Sequence, residues 1–238
     1  MKKLFLFIVT FTILSAGEYA DAFLQTSLPA SSLAMGRSMM THLQGLASVP
    51  GNPAGLAQIN KTQTMIQYAN MFDMATNQGL AFSTPLGKNT QLAISWYRSS
   101  VNDIPIRPAL DDSLNFLERR SFLREHFGKS WESFSDQEDV LYFTIAKYYK
   151  LSKRPGWAYD PIHLQIPVAV NFKYLHKNTY DNTASGMGMD IAAKIIIPGN
   201  EIFYVRHLGD FEFGFSLHDV YVSGLYWDTG HVDLVKMA

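Results

Sequence analysis

The feature that most constrains this chain is the stretch at residues 161–174, PIHLQIPVAVNFKY. Its even-numbered positions, from Ile162 to Tyr174, are apolar or aromatic, and its odd-numbered positions are polar or small. Successive side chains of a β-strand point to opposite faces, so this alternation predicts a strand with one apolar face. Strands of globular proteins usually run to about 5–6 residues, whereas a tilted membrane-crossing strand needs about 9–11. The stretch therefore favours a membrane-crossing strand, and the alternative is an unusually long strand of a soluble sheet.

The N-terminus has the three regions of a secretory signal peptide. Lys2 and Lys3 precede an apolar run at residues 4–14, and small residues follow at 15–17. This order of charged, apolar and small residues is typical of a signal peptide, and the apolar run is too short to span a bilayer as a helix. We therefore predict a signal peptide over residues 1–20 and export of the mature chain.

Composition excludes several classes of function. The chain of 238 residues has a formal net charge of −1 and no basic stripe, which argues against a nucleic-acid partner. It contains no cysteine, so a thiolate nucleophile, a disulfide scaffold and a sulfur-ligated metal are excluded. The sequence motifs of zinc proteases, phosphate-binding loops and α/β-hydrolases are also absent. We predict no cofactor, no metal and no enzymatic activity.

Alternating segments separated by polar turns fill the chain from Thr62 onward. Eight candidate strands follow this pattern, at residues 62–70, 79–86, 90–98, 139–150, 162–174, 187–197, 211–218 and 221–227. Charged residues recur opposite the aromatic ones, as in a barrel with a lipid-facing apolar wall and a wet lumen. A soluble sandwich would show the same alternation with its apolar face inside, and periodicity does not separate the two. Strand length and export favour an all-β, antiparallel transmembrane β-barrel over residues 62–238.

The connections between the candidate strands support the same interpretation. Residues 70–78, 99–138 and 175–186 are predicted to be long loops, whereas 86–89 and 198–200 are predicted to be short turns. Outer-membrane barrels have short periplasmic turns and longer external loops. We therefore assign the long loops to the cell exterior.

The loop at residues 99–138 carries its own helical pattern. Phe116, Leu123 and Phe127 recur at helical spacing after Asp111 and Asp112, which predicts a helix over about residues 113–128 with an aspartate cap. Its arginines make it locally basic. We interpret these arginines as a solvated face, and the functional alternatives are an external cap over the barrel mouth or a contact with lipopolysaccharide phosphates.

Residues 21–61 do not alternate and form a separate segment. They are small and apolar, and methionines and leucines continue at helix-like spacing. Asn52 before Pro53 fits a helix N-cap followed by proline at the first helical position. We predict short helices in this segment.

Six short motifs occur in a fixed order along the chain. They are residues 22–24 (AFL), 33–36 (LAMG), 50–57 (PGNPAGLA), 103–105 (DIP), 188–190 (GMD) and 227–230 (WDTG). In this order they resemble the PorV/PorQ family, whose relatives are the FadL-type outer-membrane transport proteins. The resemblance implies that residues 21–61 form an N-terminal hatch inside a barrel, with Asn52, Pro53 and Ala54 as the hatch motif.

The same resemblance implies a non-enzymatic role at the outer membrane. PorV-type members shuttle or anchor cargo in type IX secretion, and FadL-type members pass hydrophobic molecules through the wall. The implied partners are outer-membrane lipid, secretion-system or cargo proteins, and a hydrophobic small molecule. The chain departs from the family in having fewer strands and in ending without a terminal aromatic residue. We therefore expect a fragment of a larger barrel rather than a small complete one.

Two other functions remain open from the sequence. A secreted soluble β-domain could act as an interaction protein through the loop at residues 99–138. Glu212, Ser216 and His218 share one face of a strand and suggest an outer-membrane hydrolase. However, Glu212 and His218 lie about 20 Å apart in an extended strand, so these three residues cannot form one triad. We interpret them as polar residues that line a lumen.

Overall fold

The computed structural model describes residues 22–25, 29–34, 36, 41–106, 113–125, 132–154, 156, 160–205, 207–222 and 224–233. The predicted signal peptide, the predicted cap at Asp111 and Asp112, and the last residues of the chain lie outside these ranges.

In the described part of the chain, nine strands form one antiparallel sheet. The strands are β1 (Gln63–Met71), β2 (Ala75–Pro85), β3 (Thr90–Pro105), β4 (Ser133–Lys153), β5 (Ile162–Thr179), β6 (Asn182–Ile197), β7 (Phe211–Val222), β8 (Leu225–Trp227) and β9 (Val232–Asp233). Neighbours in sequence pair from β1 to β6, β7 and β8 both pair with β6, and β9 pairs with β8. The predicted antiparallel all-β class is therefore confirmed, and each predicted strand coincides with an observed one.

The predicted closure into a barrel is not observed in the described residues. There, β1 pairs with β2 alone and β7 pairs with β6 alone, so the sheet has two free edges. The observed fold is accordingly an open, nine-stranded antiparallel sheet.

In the described ranges, helices are few and short. The α-helices are α1 (Ala30–Ala34), α2 (Phe116–Glu125) and α3 (Gly199–Phe203), and 3-10 helices form at Ala22–Gln25, Gly45–Ser48 and Pro53–Gln58. Among the described residues, none of these helices combines the length and the hydropathy needed to cross a bilayer.

The predicted long loops at residues 70–78 and 175–186 are wrong, because both segments are mostly paired strand. β4 and β5 pair without interruption from Asp136–Thr179 to Lys153–Ile162. Lys177 Nζ lies 2.5 Å from Glu138 Oε1 across the two strands, so residues that look loop-like in sequence are matched across the sheet. The turns that remain span only residues 72–74 and 180–181.

The turn at residues 72–74 is tight because its polar neighbours stabilise it. Phe72 and Asp73 have φ angles of 57° and 56°, in the left-handed region. Asn70 Oδ1 accepts a hydrogen bond from the Asp73 amide at 2.9 Å, a local side-chain bond of the kind that favours turns. At the other end of the sheet, the connection predicted to be short at 198–200 spans residues 198–210 and contains α3.

The predicted helix over residues 113–128 is confirmed over Phe116–Glu125 as α2, and Asn115 caps it. Asn115 Oδ1 accepts hydrogen bonds from the amides of Leu117 and Glu118, at 3.0 and 3.1 Å. Glu118 Oε2 accepts in return from the Asn115 amide at 2.9 Å. This reciprocal arrangement satisfies helix-end donors that would otherwise lack partners, as in a capping box.

The two faces of the sheet have opposite character. We call residues 41–61 the plug segment. The sheet face that the plug segment covers is the inner face, and the opposite face is the outer face. The core lies between the plug segment and the inner face, where Leu46, Val49 and Leu56 pack against small and aromatic side chains such as Ala93 and Tyr97. Large apolar side chains are exposed on the outer face instead.

Candidate functional site

The hatch motif predicted at Asn52, Pro53 and Ala54 lies in the middle of the plug segment. Asn52 is the N-cap of the 3-10 helix that begins at Pro53, and its Oδ1 accepts from the Ala54 amide at 3.2 Å. The predicted N-cap followed by proline is thus confirmed. All three residues are buried, with Ala54 completely inaccessible to solvent. The motif therefore shapes the plug segment where it packs against the sheet.

Two glycines allow the plug segment to fold tightly and to approach the wall. A Cβ on Gly55 would lie 2.3 Å from the Leu43 carbonyl oxygen. The backbone at Gly55 therefore passes too close to Leu43 for a side chain to fit. A Cβ on Gly214 of β7 would lie 2.5 Å from Thr41 Cγ2. Glycine is needed at both positions because neighbouring backbone or side chain occupies the space.

Lys194 of β6 holds both ends of the plug segment. Its Nζ donates to the carbonyl oxygens of Thr41 and Leu43, each at 2.6 Å, and to Gln58 Oε1 at 3.1 Å. The side chain is fully buried. Because a buried ammonium is costly without partners, these three acceptors make Lys194 a specific anchor for the plug segment.

A second anchor comes from the middle of the sheet. Asn171 Nδ2 on β5 donates to the Val49 carbonyl oxygen at 3.0 Å, and Thr144 Oγ1 on β4 donates to Asn171 Oδ1 at 2.7 Å. Both polar side chains are fully buried. Thr144 on β4 thus orients the side-chain amide of Asn171 on β5, and this amide binds the plug segment.

The plug segment is also bound at its C-terminal end and on β7. Gln91 Nε2 of β3 donates to the Ile59 carbonyl oxygen at 2.5 Å, and Ser216 Oγ of β7 donates to the Gly51 carbonyl oxygen at 3.1 Å. Together with Asn171 and Lys194, these contacts attach the plug segment to four strands, β3, β5, β6 and β7.

A buried ionic cluster lies on the inner face beside the plug segment. Lys173 Nζ is 3.1 Å from Asp190 Oδ1 and 2.7 Å from Asp219 Oδ1, and all three side chains are at most 1% exposed. Asp219 has a φ of 57° at an irregularity in the β6–β7 register. A bulge of this kind changes the direction of a side chain, and here it brings the Asp219 carboxylate to Lys173. Gly188 leaves space for Lys173, since a Cβ there would lie 2.7 Å from Lys173 Cε.

Ser216 and His218 are in contact, but Glu212 is not their carboxylate partner. His218 Nε2 lies 3.0 Å from Ser216 Oγ, and its Nδ1 lies 3.7 Å from Asp190 Oδ1 on the neighbouring strand. The sequence could not indicate Asp190, because spacing within one strand does not report its cross-strand neighbours. Ser216, His218 and Asp190 therefore lie next to one another, in that order, on the inner face.

The donor and acceptor pattern of this group differs from that of a catalytic triad. A nucleophilic serine directs its proton to the histidine Nε2. Here the single hydroxyl proton of Ser216 goes to the Gly51 carbonyl oxygen, so Nε2 of His218 donates to Ser216 Oγ. In this arrangement the Ser216 hydroxyl binds the plug segment. In the described part of the chain, no group of three or more His, Cys, Asp or Glu residues is arranged to hold a metal.

Sequence reasoning located the plug segment's own motif but missed the residues that bind it. Lys194, Asn171 and Lys173 occupy polar positions of the alternating strands, which is the signal that places them on the inner face. Alternation does not indicate which backbone carbonyl each side chain reaches across more than a hundred residues of sequence.

Comparison of the chain with protein-family models, with curated proteins and with solved structures finds no match to any of them. The resemblance to the PorV/PorQ family stays a prediction from the short motifs.

Proposed function

We propose that this chain is a non-enzymatic outer-membrane β-barrel protein of PorV/FadL type, in which the plug segment covers the lumen side of a lipid-facing wall. The observation that carries this proposal is the reversed polarity of the sheet. The face buried under the plug segment holds Thr144, Asn171 and Lys194, whereas the exposed face is apolar. Its exposed side chains include Ile66, Leu80, Phe82, Ile94, Phe143, Phe172, Phe213, Phe215 and Leu217.

Free-energy arguments favour lipid as the medium against this outer face. Burying one large apolar side chain contributes about 1.5–3 kcal/mol, and the outer face forgoes that contribution at many positions if it meets water. Contiguous exposed apolar patches of this kind mark membrane or protein contacts in soluble proteins. A lipid environment removes the cost at all of these positions at once.

The dimensions of the strands also support a membrane location. The four central strands, β3 to β6, have 16, 21, 18 and 16 residues, which exceeds the about 9–11 that a tilted strand needs to cross. Tyr149 pairs with Ile166, and Tyr174 lies further along β5. At about 3.3 Å per residue the two tyrosines are about 26 Å apart along the sheet. For strands tilted by about 35–45°, this separation corresponds to about 20 Å across the membrane, which lies within an apolar band about 25 Å tall.

The proposal requires that the free sheet edges be paired in the membrane. Unpaired backbone N–H and C=O groups in hydrocarbon cost several kcal/mol each, so an edge such as β1 cannot face lipid. In this account, additional strands or another chain complete the wall beside β1 and β7.

The proposed role is type IX secretion, through cargo shuttling or anchoring, or the transport of a hydrophobic ligand. In either case the plug segment controls access to the lumen. Movement of the plug segment requires Lys194 to lose three acceptors together, along with the bonds from Asn171 and Ser216. Opening is therefore a concerted step rather than gradual fraying.

Fractionation of the mature protein, followed by gel mobility in detergent with and without boiling, tests this proposal. An outer-membrane location and a mobility that changes on boiling are expected for a barrel. Extraction without detergent, with no change on boiling, would instead support the alternative of a secreted soluble β-domain that acts as an interaction protein.

A further inference from the structure

His218 of β7 lies between the buried ionic cluster and the plug segment. Its Nδ1 is 3.7 Å from Asp190 Oδ1, an ion-pair distance, and its Nε2 is 3.0 Å from Ser216 Oγ. Ser216 Oγ is in turn 3.1 Å from the Gly51 carbonyl oxygen of the plug segment. A continuous series of contacts therefore runs from a carboxylate of the wall to the backbone of the plug segment.

The charge of the cluster favours a second proton on His218. Asp190 on β6 and Asp219 on β7 contribute two carboxylates, whereas Lys173 on β5 contributes one ammonium. All three side chains are at most 1% exposed, so one negative charge stays buried without compensation while His218 is neutral. A doubly protonated His218 makes the group of four neutral, which removes the cost of burying a net charge.

His218 is also the member of this group that solvent can reach. Its side chain is 23% exposed, and histidine is the side chain that ordinarily gains or loses a proton near neutral pH. The titratable residues of the plug segment, His42 and Lys61, are exposed near its two ends. Glu212, on the same strand as His218, is about 20 Å away along it. The protonation of the cluster is therefore set at His218.

The number of protons on His218 decides where the Ser216 hydroxyl points. When both ring nitrogens are protonated, Nδ1 faces Asp190 with a proton, Nε2 donates to Ser216 Oγ, and the single hydroxyl proton is available for Gly51. A neutral ring has one N–H. If that proton is on Nε2, the Nδ1 lone pair faces the Asp190 carboxylate. If it is on Nδ1, Nε2 accepts the Ser216 hydroxyl proton, and the Gly51 carbonyl oxygen loses its donor.

We propose that protonation of His218 fastens the plug segment to β7 and that its deprotonation weakens this attachment. The plug segment is then held more firmly in mild acid and opens more readily as the pH rises. The sign follows because a base that gains an acidic partner on folding stabilises the fold while it is protonated, and this contribution is lost as the pH rises. The inference goes beyond the proposed function, because it concerns the plug segment whether the outer face meets lipid or water.

A single thiol in the plug segment measures how often this segment opens. The chain has no cysteine, so Val49→Cys, at a completely buried position two residues before Gly51, introduces one thiol. Iodoacetamide labels it in the purified mature protein, and the rate is divided by the rate for the urea-unfolded protein at the same pH. This ratio reports opening without the effect of pH on the thiol itself. His218→Gln removes the titrating ring and keeps an N–H donor, and His176→Gln, on β5 outside the cluster, is the control.

From about pH 6 to about pH 8.5, we expect the ratio to rise about fivefold in Val49→Cys, the size of effect that the loss of one hydrogen bond produces. The same rise is expected when His176→Gln is added. With His218→Gln, the ratio should change less than about twofold. An equal rise with His218→Gln, or no rise in Val49→Cys alone, would overturn the proposal.

Nitrogen-15 NMR of the histidine rings in the unsubstituted protein gives a second test, which does not depend on the folding of a variant in the plug segment. The ring shifts separate the doubly protonated ring from both neutral forms, and the signal that is missing in His218→Gln identifies His218. We expect a doubly protonated ring at about pH 6 and a neutral ring at about pH 8.5. A ring that is neutral at both pH values, or charged at both, would overturn the proposal. Both tests use the protein in detergent and do not depend on membrane fractionation, so this inference and the proposed function fail separately.

Discussion

At the scale of single residues, the structure depends on a few buried polar side chains. Lys194, Asn171 and Ser216 connect strands to backbone carbonyls of the plug segment, and they are positions that a soluble core would give to apolar residues. Burial of these groups is favourable only because each finds its partners. The plug segment is therefore fixed by specific hydrogen bonds as well as by the packing of Leu46, Val49 and similar side chains.

Replacement of Lys194 by methionine removes the donor that binds Thr41, Leu43 and Gln58. The carbonyl oxygens would lose a charged partner, and we expect the free energy of unfolding to fall by about 1–3 kcal/mol. Limited proteolysis should cut the variant within residues 41–61 before the sheet. Lys153→Met, an exposed change of the same chemistry, serves as the control, and equal protease resistance of the two variants would contradict the anchor.

Replacement of Ser216 by alanine tests whether the Ser216–His218–Asp190 group is structural. The change removes one hydrogen bond to Gly51, so we expect a loss of about 0.5–1.5 kcal/mol in the free energy of unfolding. Hydrolysis of short-chain esters and of phospholipids should be the same before and after the change. A measurable hydrolysis that disappears in Ser216→Ala would show that the serine is a nucleophile.

At the scale of elements, alternation is a strong predictor of strands and a weak predictor of their ends. It located every strand from Gln63 to Trp227, because side-chain period follows from backbone geometry alone. It began β4 too late and ended β5 too early, because Glu138 and Lys177 look like loop residues until each is paired with the other. Alternation also does not reveal partners that are distant in sequence. Lys194, for example, binds carbonyl oxygens about 150 positions earlier in the chain.

The outer faces of the strands carry the prediction that best separates lipid from water. Ile145→Arg places a charge in the middle of the apolar face, because Ile145 pairs with Val170, midway between the two tyrosines, and it is 40% exposed. In a bilayer this costs about 2–4 kcal/mol, whereas in water the same change at a half-exposed position is nearly neutral. Phe72→Arg, in the exposed turn after β1, is the matched control, since Phe72 is 88% exposed. Urea unfolding in lipid vesicles should show the loss for Ile145→Arg only.

The contact between α3 and β5 is expected to weaken in acid. The backbone N–H of His163 donates to Glu201 Oε2 at 2.7 Å, and this bond lowers the pKa of Glu201 from its ordinary value of 4.5. A carboxyl group with a lowered pKa stabilises the fold above its unfolded value and loses that contribution as the pH falls through the folded value. Hydrogen exchange of the His163 amide should therefore speed up below about pH 4.5 relative to the intrinsic rate. Glu201→Gln should abolish that pH dependence, and an unchanged profile would contradict the assignment.

At the scale of the whole molecule, the sheet is organised opposite to a soluble β-sandwich. Its polar face is buried under the plug segment, its apolar face is exposed, and within the described ranges its two edges are free. Each property is unfavourable in water, and the proposed wall, with its outer face in lipid and its edges paired to further strands, would remove all three costs. The sequence pattern alone did not show which face is covered, and the structure has the polar face under the plug segment.

The most direct test of lipid contact uses the absence of cysteine from the chain. Single cysteines at Phe172, Asn171 and Tyr180 can each carry a bimane fluorophore, and brominated phospholipids quench bimane only on contact. For the mature protein reconstituted in vesicles, we predict strong quenching at position 172 and little at position 180. Position 171, which faces the plug segment, should also show little quenching. Equal, weak quenching at all three positions would contradict a lipid-facing outer face.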